Sequence, residues 1–172
     1  MRHFLRTRAG DGVIDKASGA FTASFFAQHA SRIGARADQL GQSLSIILWR
    51  LEPKAASLEA EDDGFDRRSF HQTAHLINQT TRAEDCIARL SKGMFGAALT
   101  ATSAQDAQIV AERIEGILAN TLIRGTNDKI MSVNVYASIC QRAHGASIEE
   151  TIAPGIVELR SGKRSTSHLA LV

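Results

Sequence analysis

The stretch RAEDCIARLSKGMFGAAL, residues 82–99, contains two short apolar runs that are separated by a small polar break. The runs CIARL and MFGAAL lie on either side of the residues SKG, and a glycine in such a break favours the tight turn of a β-hairpin. Arg82 and Asp85 stand three residues apart just before the first run. The stretch therefore predicts two antiparallel strands with a charged pair at their entrance.

The sequence before this hairpin predicts a helix, a strand and a second helix. Apolar residues recur at helical spacing from Ser18 to Leu40, and Gly41 follows as a stop signal. The apolar run LSIILWRL, residues 44–51, is typical of a buried strand. The second helix has one apolar face, formed by Phe70, Ala74 and Ile77.

The sequence after the hairpin predicts a helix, a strand and a last helix. Ser103 offers an N-cap for a helix that runs to Leu118. In KIMSVNVYASIC, residues 129–140, apolar residues alternate with polar ones, which is typical of a strand. Ser147 caps the last helix, in which Pro154 must lie early or cause a kink. The order of elements predicts an α+β fold, with helices packed on a mostly antiparallel sheet.

Composition limits the class of protein. The 172 residues fit one domain, and a chain that is 44% hydrophobic and 22% charged is an ordinary globule. A net charge of +2 gives no reason to expect nucleic acid as a partner. Cys86 and Cys140 lie in apolar runs and are expected to be buried thiols, which favours a cytoplasmic location. No apolar run is long enough for a membrane span or an export signal.

One segment resembles a known family. DKASGAFTASFF, residues 15–26, is similar to the DxLTGLxNRRxF opening of GGDEF domains, the bacterial diguanylate cyclases, and the spacing from Glu52 to Phe95 matches that family without a gap. The resemblance implies a palm-like cyclase fold, with an antiparallel-rich central sheet flanked by helices. It divides the chain into a linker or connector helix (1–14), a degenerate GGDEF domain (15–165) and a C-terminal tail (166–172).

The resemblance also locates a former active site. In the family, the GGDEF turn lets GTP phosphates approach and holds magnesium, an Asp-x-Asp pair ends the preceding strand, and an Asn and an Asp read guanine. The corresponding residues of this chain are Ser91, Lys92, Gly93, Met94 and Phe95 for the turn, Arg50 and Glu52 for the pair, and Leu58 and Arg67 for the guanine contacts. In the turn, Phe95 alone is retained.

These replacements remove the chemistry of a cyclase. Divalent cations of this kind prefer carboxylate oxygens, which Met94 lacks, and Arg50 carries a fixed positive charge that repels magnesium. Leu58 and Arg67 cannot make the hydrogen bonds that select guanine. The sequence therefore predicts no metal, no cofactor and no enzymatic activity.

The charged pair before the hairpin matches a second site of the family. Many GGDEF domains carry an RxxD motif five residues before the signature turn, where the product cyclic di-GMP binds; here it consists of Arg82 and Asp85, and a second arginine of that site falls at Arg113. Arginine can donate to O6 and N7 of guanine, and a carboxylate can accept from N1 and N2. The three-residue spacing predicts a helical turn. The alternative interpretation is an exposed ion pair without function.

Other conspicuous residues have simpler interpretations. His71 and His75 lie four apart on a helix without a third metal ligand and are expected to be exposed. Trp49 is expected in the core. Arg160 and Arg164 correspond to phosphate-neutralising residues of the family, although a solvated helix end explains them as well. The tail SHLALV fits either an edge strand or a docking peptide.

Three functions remain open. The favoured one is a noncatalytic cyclic di-GMP receptor that couples the ligand to protein recruitment, as an adaptor in cell-cycle regulation or regulated proteolysis. The others are a scaffold or dimerisation domain that binds no nucleotide and, disfavoured by the replacements, an active cyclase. The expected partners are cyclic di-GMP, unidentified proteins, a second copy in a homodimer, and upstream sensory or receiver domains; recruitment to a cell pole fits this role.

Overall fold

The computed structural model describes residues 12–54 and 64–161. In chain order, the strands and helices are β1 (Phe21–Thr22), α1 (Ala23–Leu40), β2 (Leu44–Pro53), α2 (Arg67–Thr80), β3 (Cys86–Ser91), β4 (Met94–Thr100), α3 (Ala104–Asn120), β5 (Ile123–Arg124), β6 (Ile130–Met131), β7 (Val133–Gln141) and α4 (Ile148–Arg160). The predicted α+β class is confirmed.

A five-stranded sheet forms the centre of the fold. Its strand order is β1-β3-β4-β2-β7, and β5 and β6 form a separate two-stranded sheet. The pairs β3–β4, β4–β2 and β2–β7 are antiparallel, and only the short β1 runs parallel to its neighbour β3. The central sheet is therefore mostly antiparallel, as the sequence predicts, and the β3–β4 hairpin lies within it.

Helices cover both faces of the sheet. One core cluster joins α2 and α3 to side chains such as Ile47 and Trp49 of β2, and the other joins α1 and α4 to the intervening residues Ile46 and Leu48. Successive side chains of a strand point to opposite faces. Since both faces are buried, the centre of β2, residues 46–49, is a continuous apolar run rather than an alternating one.

The helix-capping predictions are confirmed. The Ser103 hydroxyl accepts a hydrogen bond from the amide of Asp106 (3.1 Å) at the start of α3. Ser147 and Glu150 form a reciprocal capping box at the start of α4. Gly41 ends α1 in the left-handed conformation. The helix boundaries thus follow from local side-chain chemistry.

Two predicted elements differ in the structure. The first helix begins at Ala23, not Ser18, because the carboxylate of Asp15 accepts the amide of Ser18 (2.8 Å) and holds that segment in a turn. The predicted strand 129–140 is divided at Ser132 into β6 and β7. Pro154 lies inside α4, which is assigned as one continuous helix from Ile148 to Arg160.

Several predictions about single residues are confirmed. Trp49 is fully buried, and His71 and His75 are exposed. Cys86 and Cys140 are buried free thiols; burial raises the pKa of Cys86 to about 12 and that of Cys140 to about 11. Within the described ranges, none of the helices has the length and apolarity that crossing a membrane requires.

Candidate functional site

The two candidate sites lie at opposite ends of the β3–β4 hairpin. Two residues, Lys92 and Gly93, join its strands. Gly93 has φ of +71°, and its carbonyl oxygen accepts the amide of Leu51 at 2.8 Å. A Cβ at this position would lie 3.0 Å from the Leu51 carbonyl oxygen. The turn is therefore held against the end of β2 in a conformation that favours glycine.

A cleft of about 380 Å³ lies beside this turn, and we call it the turn cleft. Its lining consists of Arg50, Leu51, Glu52, Pro53, Phe65, Ser91, Lys92, Gly93, Met94 and Arg160. The structure thus brings together most of the residues that the resemblance assigns to the family's active site, and among them is Arg160 from the end of α4.

Arg50 connects two elements of the turn cleft. Its guanidinium forms an ion pair with the carboxylate of Glu52 and donates a hydrogen bond to the carbonyl oxygen of Leu159. Leu159 lies in the last turn of α4, where unpaired carbonyl groups give the helix a partial negative charge. The guanidinium therefore neutralises both a carboxylate and a helix end.

The hydrophobic residues of the signature turn lie on opposite faces of the sheet. Met94 pairs with Arg50 across β2 and β4, and its side chain is 4% exposed in the core cluster of α1 and α4. Phe95 is 1% exposed and packs in the cluster of α2 and α3. Their burial indicates that both residues stabilise the hairpin by packing.

The donor set of the turn cleft does not fit a divalent cation. Glu52 supplies the single carboxylate of the lining, and it is already paired with Arg50. Met94 offers no oxygen, and hard cations require several oxygen ligands. In the part of the chain that the structure describes, no group of three or more His, Cys, Asp or Glu residues is arranged to hold a metal ion.

Some of the predicted site residues lie elsewhere. Arg67 is exposed at the first position of α2 and does not line the turn cleft. Leu58, Arg164 and the tail SHLALV lie outside the described residues. Of the two positions that correspond to the guanine contacts, the structure places only Arg67, and it lies outside the turn cleft.

Arg82 and Asp85 form a tight turn between α2 and β3, which we call the entrance turn. The amide of Asp85 donates to the carbonyl oxygen of Arg82 (3.1 Å), and the Asp85 carboxylate accepts the amide of Arg82 (2.9 Å). The predicted helical turn is thus wrong in detail: the segment is a single turn closed by its own aspartate. Arg82 is exposed, and no ion pair or side-chain hydrogen bond of its guanidinium is found within the described ranges.

Asp85 uses one of its two carboxylate oxygens. Oδ2 accepts the amide of Arg82, whereas Oδ1 is buried and has no hydrogen-bond partner within the described part of the chain. Burial raises the pKa of this carboxyl, and the backbone amides of Arg82 and Thr100 oppose that effect. The carboxylate therefore closes the entrance turn with one oxygen, while the other is enclosed by the protein.

Arg113 reaches the same region from α3. Its Nη2 donates to the carbonyl oxygen of Thr80 (2.8 Å), the last residue of α2. Thr80 precedes Arg82 by two residues. Arg113 is otherwise exposed, and a guanidinium has five N–H donors, so this single bond orients the side chain and leaves donors for a ligand.

Sequence reasoning missed an ion pair that supports the hairpin. Arg89 of β3 donates to both carboxylate oxygens of Asp15, each at 2.7 Å, and lies 4.7 Å above the ring of Phe70. Hydrogen bonds from Arg89 and Ser18 lower the pKa of Asp15 to about 2. The signal in the sequence is an arginine within the apolar run CIARL, since a charge in a buried strand needs a partner.

The fold and the hairpin define an α+β domain of the nucleotide cyclase type. The family model for the diguanylate cyclase, GGDEF domain, matches residues 67–164, more than half of the chain. The chain therefore belongs to the GGDEF domain family. No curated protein matches the sequence.

Solved structures show the same fold at low sequence identity. Diguanylate cyclase SiaD of Pseudomonas aeruginosa, solved with its activator SiaC, has a TM-score of 0.75 at 18% identity; the match covers 91% of this chain but 60% of SiaD. The GGDEF domain of DgcB from Caulobacter crescentus, solved with c-di-GMP, has a TM-score of 0.71 at 14% identity and 94% coverage of both chains. The FimX GGDEF domain from P. aeruginosa has a TM-score of 0.75 at 16% identity, covering 90% of this chain and 97% of that one.

Proposed function

We propose that this GGDEF domain is a noncatalytic receptor that binds cyclic di-GMP at Arg82, Asp85 and Arg113. The observation that carries the proposal is the position of Arg113 beside the entrance turn: it donates to the carbonyl oxygen of Thr80, two residues before Arg82. Two exposed guanidinium groups fit a ligand that has two phosphates and two guanine bases. The solved complex of a DgcB GGDEF domain with c-di-GMP makes this ligand a natural choice.

The turn cleft supports the noncatalytic part of the proposal. Arg50 and Met94 stand where cation ligands are needed, and Arg50 is already engaged by Glu52 and by the end of α4. Without metal ions, the cleft cannot activate a hydroxyl group or neutralise a leaving pyrophosphate in the way that metal-dependent phosphoryl transfer requires.

The output of such a receptor is a protein contact. We propose an adaptor that recruits its partner when cyclic di-GMP is bound, in cell-cycle regulation or regulated proteolysis. SiaD, which was solved with its activator SiaC, illustrates that a chain with this fold can have a protein partner. Recruitment can depend on cyclic di-GMP only if the partner distinguishes the bound from the free domain.

Isothermal titration of cyclic di-GMP tests the proposal. The wild-type protein, Arg82→Ala and the control Arg32→Ala are titrated without magnesium, and GTP serves as the control ligand. Arg32 is exposed on α1, so its replacement removes the same charge elsewhere on the surface. We expect Arg82→Ala to weaken binding at least about tenfold, as the loss of charge-assisted hydrogen bonds implies.

Folding must be unaffected for this test to be informative. The Arg82 side chain is exposed, so Arg82→Ala is expected to change Tm by no more than roughly 2 °C. Absence of binding in the wild-type protein contradicts the receptor and favours the nucleotide-independent scaffold. Conversion of GTP with magnesium contradicts the noncatalytic assignment.

A further inference from the structure

Strand β7 forms one edge of the central sheet and pairs with another strand on one side only. The strand order β1-β3-β4-β2-β7 places β2 beside it, and its nine residues, Val133–Gln141, pair antiparallel with residues 45–53. Among the described residues, no strand lies on its other side. The opposite edge differs, because β1 has only two residues and Ile14 forms a bridge with its Phe21. β7 is therefore the long open edge of the sheet.

The register shows which backbone groups of β7 face outward. The amide of Arg142 donates to the carbonyl oxygen of Leu44 at 2.9 Å, and the amide of Lys54 donates to that of Ser132 at 3.0 Å. Both bonds continue the β2–β7 register, in which bonded and non-bonded pairs alternate. The even-numbered residues of β7 therefore bond to β2. The backbone groups that point away from β2, which we call the outer edge of β7, belong to Val133, Val135, Ala137, Ile139 and Gln141; within residues 12–54 and 64–161, no hydrogen bond of these groups is found.

The sequence of β7 lacks the features that usually keep edge strands apart. Edge strands commonly carry charged side chains, proline or a bulge, which prevent pairing with another chain. The strand VNVYASICQ contains no charged residue and no proline, and its register with β2 is unbroken. Val135, Tyr136 and Ile139 are partly exposed, although helices cover both faces of the sheet. The outer edge can therefore accept another strand, provided that this strand is uncharged and extended.

A second copy of β7 meets this requirement. Ala137 is the middle residue of the strand, and its backbone groups point outward. A two-fold axis beside Ala137 therefore pairs the strand with itself along its full length, and each outward amide meets an outward carbonyl oxygen. Val135 then lies opposite Ile139 of the second copy, and Tyr136 lies opposite Ser138 of the second copy. Because β7 has no charged side chain, no like charges are opposed.

We propose that the outer edge of β7 is a homodimerisation surface, at which two copies of this chain join antiparallel into one continuous sheet. Backbone hydrogen bonds hold the two strands together, and the side chains of Val135 and Ile139 pack across the junction. In the sheet, β4 and β2 separate β7 from β3, which follows the entrance turn. The pairing does not use Arg82, Asp85 or Arg113, so the proposal does not depend on cyclic di-GMP binding.

Sedimentation equilibrium of the full chain, without cyclic di-GMP, tests the proposal. Ala137→Pro removes an N–H group that points outward and none that bonds to β2, and Val135→Lys places a charge beside an apolar side chain of the second copy. The control is Val13→Lys, the same replacement at an exposed valine beside β1. We expect a wild-type dimer at roughly 100 µM protein, at least about tenfold weaker association in both β7 variants, and a change within about twofold for Val13→Lys.

Amide hydrogen exchange of the wild-type protein, measured by NMR at low and at high protein concentration, locates the contact. Dimerisation should slow exchange at the amides of Val135, Ala137 and Ile139 at least about tenfold. The amides of Tyr136 and Ser138 point toward β2 and should be protected at both concentrations. This measurement uses no variant, so it is informative even if Ala137→Pro or Val135→Lys fails to fold.

Three results overturn the proposal. The first is a wild-type protein that remains a monomer at every concentration. The second is a dimer in which the outward amides of β7 exchange as fast as they do in the monomer, since the copies then meet elsewhere. The third is equal weakening of the dimer by Val135→Lys and Val13→Lys, which indicates an effect of overall charge and not of the β7 edge.

Discussion

The substitution Asp15→Asn tests how the β3–β4 hairpin is held in place. It removes the charge that pairs with Arg89, whose two donors lie 2.7 Å from the two carboxylate oxygens. The side chains are only 18% and 20% exposed, so Arg89 would keep its charge in a partly buried place without its anion. The loss of this pair should therefore weaken the attachment of β3 to the segment that contains Asp15. The hairpin carries a candidate site at each end.

The pKa of Asp15 sets the size of the effect. Folding lowers this pKa from 3.8 to about 2, which corresponds to about 2 kcal/mol in the free energy of unfolding at neutral pH. Because the pKa is lower in the folded protein, the stabilisation is complete above pH 3.8 and is lost as the pH falls through about 2. At neutral pH, the variant should melt roughly 4–8 °C lower.

Urea denaturation at several pH values measures this effect. The control is Asp128→Asn, which removes the carboxylate of an exposed ion pair with Arg68, whose side chains are 65% and 63% exposed. That control should change stability by less than about 1 kcal/mol. The difference between the wild-type protein and Asp15→Asn should be largest near pH 7 and should shrink as the pH approaches 2.

Two results would refute this reasoning. If Asp15→Asn loses no more stability than Asp128→Asn, the bidentate pair contributes no more than an exposed one. If the loss is the same at pH 7 and near pH 2, it comes from packing or from the Ser18 hydrogen bonds and not from the charge of Asp15.

Two further substitutions test other features of the hairpin and its entrance. Gly93→Ala should destabilise the domain by more than about 1 kcal/mol, because φ is +71° and the new Cβ would lie 3.0 Å from the Leu51 carbonyl oxygen. The control is Gly116→Ala in α3, where the space around the new Cβ is open. This control should stabilise the domain by about 0.5–1 kcal/mol. Equal effects in chemical denaturation would contradict this role of the turn. Asp85→Asn should leave Tm at pH 7 unchanged or raise it, because burial raises the pKa of Asp85 and thus disfavours its charged form in the fold. A clear fall in Tm by scanning fluorimetry would show that the charge stabilises the entrance turn.

Local chemistry explains why most of the fold could be predicted from the sequence. Ser103 and Ser147 start their helices through hydrogen bonds to residues three positions away, and a reader of the sequence sees both partners. The run LSIILWRL is mainly apolar because β2 lies inside the sheet, between β4 and β7. The apolar periodicity predicts too early a start for α1, because the hydrogen bond from the Ser18 amide to Asp15 holds that segment in a turn.

The candidate sites depend on contacts that the sequence does not display. Arg50 and Leu159 are 109 residues apart, and Arg89 and Asp15 are 74 residues apart. The sequence shows that Arg50 is unsuitable as a metal ligand. It does not show that Arg50 donates to the carbonyl oxygen of Leu159, because every residue has a backbone carbonyl. The sequence therefore shows which residues are charged, whereas the groups that pair with each charge are known only from the fold.

The Arg50 contact also places a positive charge at an edge of the sheet where two negative groups meet. At this edge of the sheet, Glu52 and the carbonyl end of α4 both present negative charge. Without a cation, these groups would repel each other and the end of α4 would lose a favourable contact. A guanidinium attached to β2 supplies the positive charge permanently and adds directed hydrogen bonds that a mobile ion does not. Arg50 therefore joins the end of β2 to the end of α4 through a charge that belongs to the chain itself.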